Sequence, residues 1–121
     1  MQFQEGYHTY YIYIITNKAK TVLYTGVTNN LKIRLEQHKD NISVSNATFA
    51  SKYNVHLLLY YEKFTWIQEA IAREKEIKGW KRDKKITLIK TLNPDLNFLN
   101  HLFENTIQLF RTDITPKNLS S

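Results

Sequence analysis

Two hydrophobic patterns alternate along the chain, one typical of strands and the other typical of helices. Residues 10–16 form a dense run of aromatic and β-branched side chains, which predicts a strand. Residues 21–25 predict a second strand that ends at Gly26, and the turn-like segment 17–20 favours a hairpin between the two. Residues 55–61 have the composition of a third strand, well separated from the hairpin.

A helix is predicted after the hairpin, because Leu31 and Leu35 recur at helical spacing. Either Thr28 or Asn29 can cap this helix, since a short side-chain oxygen accepts a hydrogen bond from a free N–H of the first turn. Residues 40–51 are rich in Asn, Ser and Thr and therefore predict an exposed loop.

A second helix is predicted over residues 66–78, directly after the third strand. Thr65 and Gln68 have the spacing of a capping box, in which each side chain satisfies a free backbone N–H at a helix start. Gly79 is a natural C-terminal stop.

A third helix is predicted over residues 83–92, with Asp83 as its cap and Asn93 at its end. A weaker apolar pattern over residues 100–110 predicts a last helix before a polar tail. The predicted fold is α+β, a small three-stranded sheet flanked by helices in the order β-β-α-β-α-α.

The chain length of 121 residues suits one compact domain with one hydrophobic core. We expect residues 1–9 to form an N-terminal segment, residues 10–99 the domain, and residues 100–121 a C-terminal helix or tail. The longest apolar stretch is far too short to cross a bilayer, so the expected location is the cytoplasm.

Charge and cysteine content narrow the function further. The chain has 17 Lys and Arg against 11 Asp and Glu, a formal charge of +6, which favours a polyanionic partner such as nucleic acid. It has no cysteine, which excludes disulfides, thiolate metal sites and thiol nucleophiles. Any bound metal must therefore use oxygen or imidazole ligands.

Glu74 lies in the middle of the apolar side of the second predicted helix. At about 100° per residue, the side chains around it on that side are Ile67, Ala70, Ile71 and Ile77. A carboxylate there is costly to desolvate unless a cation or hydrogen-bond donors meet it. Two alternatives follow: a partly buried salt bridge to an Arg or Lys, or a metal site.

Other polar candidates lie on the first helix and the hairpin strands. Arg34 and His38 are four residues apart and project from one side of the helix. Tyr13 and Tyr24 lie in the two hairpin strands, where tyrosines are also common for structural reasons. Each of these residues has an ordinary structural explanation when it is considered alone.

A basic junction is predicted between the second and third helices, with Trp80 inside it as a core residue. Phosphate neutralisation by such side chains needs no exact geometry, so we expect contacts with a nucleic-acid backbone from Lys78, Lys81, Arg82, Lys84 and Lys85.

The combined pattern resembles the GIY-YIG nuclease superfamily. The residues that carry the resemblance occur in matching order and spacing over about residues 10–99: Tyr11, Ile12, Tyr13, Tyr24, Thr25, Gly26, Arg34, His38 and Glu74. The chain is similar to small stand-alone members and to the N-terminal nuclease domain of the bacterial excision-repair nuclease subunit. It departs from the motif at Tyr11, where the family has Gly, and at Thr25, where it has Ile.

The resemblance implies a metal-dependent endonuclease that hydrolyses DNA phosphodiester bonds, with a role in DNA repair or recombination. It implies that Glu74 holds one Mg²⁺ or Mn²⁺ ion and that Arg34 meets the charge on the phosphate. Late asparagines support the site in related nucleases, and Asn93 and Asn97 are the candidates here.

The same resemblance implies tyrosine chemistry at the attacking water. Tyr13 is the expected general base, with Tyr24 as the alternative base or as the group that orients the water. His38 either accepts the tyrosine proton or hydrogen-bonds the phenol oxygen. Two alternatives to an active enzyme stay open: a nucleic-acid-binding module without turnover, and a small protein-interaction domain with a structural polar cluster.

Overall fold

The computed structural model describes residues 9–44 and 54–104, with side chains described up to residue 40 in the first of these segments. Its elements follow the predicted order β-β-α-β-α-α, so the α+β prediction is confirmed. They are β1 (Tyr10–Thr16), β2 (Leu23–Thr28), α1 (Leu31–Val44), β3 (Leu57–Phe64), α2 (Ile67–Lys78) and α3 (Arg82–Leu92).

The three strands form one antiparallel sheet in the order β2-β1-β3. The predicted hairpin is confirmed, and its register places Tyr13 opposite Gly26 and Ile15 opposite Tyr24. β1 is the central strand, and a register shift interrupts its pairing with β3 between Ile14 and Ile15. β2 and β3 are therefore the two edges of the sheet.

The predicted bounds of β2 and β3 were wrong by a few residues. β2 begins at Leu23 and continues past Gly26 to Thr28, because Thr28 still pairs with Tyr11. β3 ends at Phe64, which pairs with the first residue of β1. The C-terminal ends of both strands have one cause: pairing with the long central strand extends its neighbours beyond their own apolar runs.

α1 is capped by Asn30 rather than by Thr28 or Asn29. The Asn30 Oδ1 accepts a hydrogen bond from the N–H of Ile33 at 3.0 Å, while the Thr28 Oγ1 accepts one from the N–H of Asn30 at 3.1 Å. α1 also runs to Val44, so the first part of the predicted loop over residues 40–51 is helical. Residues 45–51 of that prediction lie outside the described residues.

The other predicted caps are also wrong. α2 begins after Trp66 without a side-chain cap, and Thr65 and Gln68 are exposed. Lys81 is the cap residue of α3, and Asp83 lies within the first turn, where its charge suits the helix dipole.

The helix ends agree better with the prediction. α2 stops at Gly79 and α3 stops before Asn93, as the sequence indicates. Of the predicted helix over residues 100–110, residues 100–104 are described, and 101–104 of these are helical.

The sheet is buried on both faces, which explains why β1 reads as a continuous apolar run. Ile12 and Ile14 face a cluster with α2 and α3, to which Leu59, Tyr60, Ala70, Ile77 and Ile89 contribute. Tyr13 and Ile15 face a second cluster that includes Leu31 and Leu35 of α1. Helices therefore cover both faces.

An ion pair with hydrogen bonds fixes α2 to β3. Arg73 donates to both carboxylate oxygens of Glu62 at 2.9 Å, and the Tyr60 hydroxyl donates to the same carboxylate at 2.5 Å. The Arg73 guanidinium lies 5.3 Å from the ring centroid of Trp80, which is half-buried against the first cluster as predicted. These contacts fix which side of α2 faces the sheet.

The phenol of Tyr13 lies directly against the backbone of Gly26. A Cβ atom placed on Gly26 would overlap the Tyr13 hydroxyl and ring, with Cε2 only 2.9 Å away. Since real Cβ atoms do not approach other atoms so closely, glycine is required here by space. The close contact lets the Tyr13 ring cross β2 toward the edge of the sheet.

We expect Gly26→Ala to lower the free energy of unfolding by about 1–3 kcal/mol, because the added methyl must displace a buried ring. Urea denaturation followed by circular dichroism measures the change. Gly79→Ala is the control, since its nearest neighbour would be the Glu76 carbonyl oxygen at 3.5 Å, an ordinary contact. Equal effects of the two substitutions would contradict the steric explanation.

Candidate active site

Tyr13 and Tyr24 project from adjacent hairpin strands on the same face of the sheet. Tyr13 is only 1% exposed, in the second core cluster, whereas Tyr24 is half-buried beside that cluster. Their positions follow from strand alternation and from the register that pairs Tyr24 with Ile15. One phenol is therefore buried in the core, while the other is partly open to solvent.

His38 of α1 lies between the two tyrosines. Its Nε2 is hydrogen-bonded to the Tyr13 hydroxyl at 3.0 Å. Its ring centroid lies 5.8 Å from that of Tyr13 and 5.6 Å from that of Tyr24, both with edge-to-face geometry. The imidazole thus contacts both phenols from the α1 side.

Arg34 lies one helical turn before His38 and reaches the same strand edge. Its Nη1 donates to the carbonyl oxygen of Val27 at 3.4 Å, and its Nε donates to Gln37 at 3.2 Å. Its positive charge and a side-chain hydrogen bond both lower the pKa of the Tyr13 phenol, against the larger rise caused by burial. This places a fixed positive charge beside the hydroxyl of Tyr13.

Glu74 approaches from α2, on the other face of the sheet. Its side chain is 14% exposed and forms an ion pair with Lys78 at 2.7 Å. The Lys78 Nζ also lies 5.9 Å from the ring centroid of Tyr24. The partly buried salt bridge considered for Glu74 is therefore present in the described structure, with Lys78 as its partner.

The structure thus brings together five of the sequence-predicted side chains along the edge strand β2. We call this the β2 cleft, and its members are Tyr13, Tyr24, Arg34, His38 and Glu74. Sequence reasoning missed that Lys78 belongs with them and placed it in the basic junction instead. The signal was available, since a Glu followed four residues later by a Lys on a helix is a favoured ion pair.

Burial sets the protonation of the two hydrogen-bonded groups. Burial raises the pKa of Tyr13 to about 12, although the neighbouring Arg34 opposes this rise. Burial, with help from the Arg34 charge, lowers the pKa of His38 to about 4. Near neutral pH both side chains are uncharged, so the cleft contains a neutral phenol and a neutral imidazole.

Asn93 and Asn97 are located away from this group. The Asn93 Nδ2 donates to the carbonyl oxygens of Leu59 at 2.9 Å and of Asn97 at 2.8 Å, and the N–H of Asn97 donates back to Asn93 at 3.0 Å. These contacts attach the end of α3 to β3, the sheet edge opposite β2.

The rest of the predicted basic junction lies between α2 and α3. Arg82 donates to the carbonyl oxygens of Lys20 at 2.6 Å and Thr21 at 3.2 Å, which attaches α3 to the β1–β2 turn. The Lys84 Nζ lies 4.3 Å from the ring centroid of Trp80. Lys81 is exposed and Lys85 is half-buried. The charges line a surface but do not enter the β2 cleft.

A separate cavity of about 650 Å³ lies between α1 and residues 98–104. Its described lining includes Leu35, His56 and Phe98 but none of the side chains of the β2 cleft. The β2 cleft is therefore separate from this cavity.

A divalent ion is compatible with the carboxylate of the β2 cleft. Within residues 9–44 and 54–104, no three His, Cys, Asp or Glu side chains are grouped as a metal site. Glu74 already holds a cationic group at 2.7 Å, the Lys78 ammonium. One carboxylate suits a hard ion such as Mg²⁺, which retains several waters and takes few protein ligands.

Comparison with known proteins identifies the family. Residues 9–87 match the family model described as the GIY-YIG catalytic domain. The chain belongs to the GIY-YIG family. The match makes the protein a member of a nuclease family that acts on nucleic acid and generally depends on divalent metal ions.

The relatives of this GIY-YIG protein are small UPF0213 proteins. One from Staphylococcus haemolyticus is 33% identical over 81 residues, which cover 67% of this chain and 94% of the relative. One from Clostridium perfringens is 36% identical over 81 residues, 67% of this chain and 83% of the relative. The solution structure of a UPF0213 protein from Bacillus halodurans is 25% identical, covers 72% of this chain and 88% of that chain, and superposes with a TM-score of 0.46.

Among the helices that the structure describes, none is long and apolar enough to span a bilayer.

The neutral state of His38 gives a testable pH dependence of stability. Because its folded-state pKa of about 4 lies below the ordinary 6.5, the folded protein binds this proton less tightly than the unfolded chain does. The resulting stability is complete above about pH 6.5 and is lost as the pH falls toward about 4. Allowing for partial exposure, we expect this loss to be roughly 1–2 kcal/mol.

His38→Gln should remove this contribution. The free energy of unfolding of wild type should therefore fall relative to that of the variant as the pH is lowered from about 6.5 to about 4. Urea denaturation at a series of pH values measures it. Gln68→Ala is the control, since it changes an exposed residue without a titrating group. Its free energy of unfolding should depend on pH as that of wild type does. A parallel profile for His38→Gln as well would show that the imidazole is not held neutral by the fold.

Proposed function

We propose that the protein is an endonuclease that hydrolyses phosphodiester bonds of DNA with one Mg²⁺ or Mn²⁺ ion held by Glu74. The observation that best supports this proposal is the convergence of an arginine, a carboxylate and a hydrogen-bonded tyrosine and histidine at one edge of the sheet. A structural polar cluster would have no need of all these groups in one groove.

Water activation is assigned to Tyr13 and His38 together. A phenol with a pKa of about 12 is neutral near neutral pH and cannot act as a base unless it loses its own proton. The neutral His38 Nε2, 3.0 Å away, can accept that proton while Tyr13 takes one from the attacking water. The protonated imidazole is then stabilised by the negative charge of the phosphate bound in the cleft.

Arg34 is assigned to the phosphate. Its guanidinium is held at the edge of β2 by the Val27 carbonyl oxygen, so it is oriented before substrate binds. Two of its N–H groups can meet two phosphate oxygens, and charge that develops on these oxygens during attack strengthens the contact. Tyr24, partly open to solvent beside His38, orients the water or serves as the alternative base.

Glu74 is assigned to the ion. When bound there, a divalent ion supplies Lewis-acid stabilisation of charge on the phosphate oxygens. The carboxylate is positioned before the ion binds, because the neighbouring Arg73 fixes α2 to β3. Hydrolysis by water attack leaves 5′-phosphate and 3′-hydroxyl ends, as in the family that the chain resembles.

The basic junction supports a DNA substrate that is bound through its backbone. Lys81 lies on the turn between α2 and α3, and Arg82, Lys84 and Lys85 lie in the first turn of α3, a place from which side chains commonly contact phosphates. We infer weak sequence preference and selection by DNA structure, as nicked, flapped or branched duplexes in repair or recombination would present. A cytoplasmic location fits this role.

Cleavage assays on Glu74→Gln test the metal assignment. We expect cleavage in Mg²⁺ or Mn²⁺ to fall at least about 100-fold, because the ion loses its ligand and the transition state its electrostatic support. Labelled duplex, nicked, flap, branched and single-stranded DNA, together with RNA, are incubated with each protein, and a ligation assay identifies the ends.

Glu69→Gln is the matched control, an exposed carboxylate on the same helix that should retain full cleavage. Wild-type protein that binds DNA but cuts none of these substrates would favour a binding module without turnover. Glu74→Gln protein that cuts as well as wild type would remove Glu74 from the site.

Binding assays test the basic junction. Replacing Lys81, Lys84 and Lys85 with Ala should weaken DNA binding for all sequences alike and reduce the dependence of affinity on salt, because fewer counterions are released. Fluorescence anisotropy at several salt concentrations measures both quantities.

The charge-matched control replaces Lys39, Lys63 and Lys90, which are exposed on three separate elements. Its salt dependence should stay closer to that of wild type. Equal losses in the two triple variants would mean that net charge, rather than the junction, determines binding.

A further inference from the structure

The ammonium group of Lys78 lies inside the β2 cleft, at its only described carboxylate. The Nζ atom is 2.7 Å from the Glu74 Oε2 and 5.9 Å from the ring centroid of Tyr24. The two side chains differ in exposure, since Glu74 is 14% exposed and Lys78 is 50% exposed. The carboxylate is thus held in the protein, while the lysine reaches it from the solvent side.

The contact has a physical reason in the metal-free protein. A mostly buried carboxylate is costly without a cation, and Lys78 supplies that cation from one helical turn away. A divalent ion would bind the same carboxylate that the ammonium now contacts through Oε2. Two positive groups at one carboxylate repel each other, so each weakens the binding of the other.

We propose that Lys78 is an internal counter-ion that a divalent metal must displace from Glu74. The inference rests on the proposed function only in taking Glu74 as the ligand of the ion. Lys78 is therefore a residue that sets metal affinity, and the expected occupant of the site is a hard divalent cation.

The side chain of Lys78 is suited to such an exchange. Its ammonium is carried on a flexible four-carbon stem, and half of the side chain is exposed, so it can leave Glu74 without movement of α2. After it leaves, the nearest described ring is that of Tyr24. There the ammonium stays beside the groove in which a phosphate would bind, and the phosphate offers it a second anion.

Direct metal binding without nucleic acid tests the proposal. Mn²⁺ binding to the whole chain is measured by electron paramagnetic resonance of the free ion, in wild type and in Lys78→Met, which keeps the length of the stem and removes the charge. We expect Lys78→Met to bind Mn²⁺ about 3- to 10-fold more tightly, because the competing cation is gone. Lys75→Met, on the same helix and exposed, should bind as wild type does.

Two further variants cover the other outcomes. Lys78→Arg retains a competing cation and should not bind Mn²⁺ more tightly than wild type does. Glu74→Gln should lose binding, and retained binding would overturn the proposal because the ion would lie elsewhere. Unchanged or weaker binding by Lys78→Met would also overturn it.

Thermal denaturation gives a second measurement on the same proteins. In EDTA, Lys78→Met should melt below wild type because Glu74 loses its counter-ion, and added Mn²⁺ should raise its melting temperature by more than that of wild type. An equal or smaller rise would overturn the proposal. If wild type binds Mn²⁺ at Glu74 but cuts no nucleic acid, the proposed function fails. The competition between Lys78 and the ion is then still tested by the Mn²⁺ affinities of the variants.

Discussion

The geometry of the β2 cleft depends on one close contact inside the hairpin, where the ring of Tyr13 lies against the backbone of Gly26. The absence of a side chain at Gly26 lets the phenol cross the neighbouring strand and bring its hydroxyl to the sheet edge. His38 meets it there at 3.0 Å, and Arg34 binds the carbonyl oxygen next to the glycine in the chain. A bulkier residue at this one point would shift the phenol and with it the hydrogen bond to His38.

Burial keeps two groups of the cleft neutral, while its charged groups come from the helices. The core that surrounds β1 removes water from Tyr13 and His38, so the phenol has a raised pKa, the imidazole has a lowered one, and both stay neutral. The charged groups approach from the helices instead, with Arg34 from one face of the sheet and Glu74 with Lys78 from the other. An edge strand is where these groups can meet, because only there do side chains from both faces reach each other.

The sequence predicts this fold well where local pattern and tertiary environment agree. β1 was predicted with its observed bounds because its apolar run is buried on both faces. The cap of α1 was missed because several neighbouring side-chain oxygens can accept the same hydrogen bonds, and only the backbone path selects Asn30. The five cleft residues followed from the family resemblance, whereas a periodicity argument alone would have left Glu74 as a salt bridge with an unidentified partner. Lys78 was grouped with the junction because several Lys and Arg residues follow it in sequence, whereas in the structure its ammonium contacts Glu74.

Arg73 and Glu74 are adjacent in the chain, yet they contact different parts of the structure from α2. Arg73 faces the sheet and is held by Glu62 and, through it, by Tyr60, while Glu74 faces the groove. The helix is therefore anchored independently of whatever its carboxylate binds. In thermodynamic terms the cleft is preorganised, so ordering on ligand binding is confined to a few side chains such as Lys78, each involving roughly 1–2 kcal/mol of rotamer entropy. The backbone that surrounds an occupied cleft should already be present in the empty one.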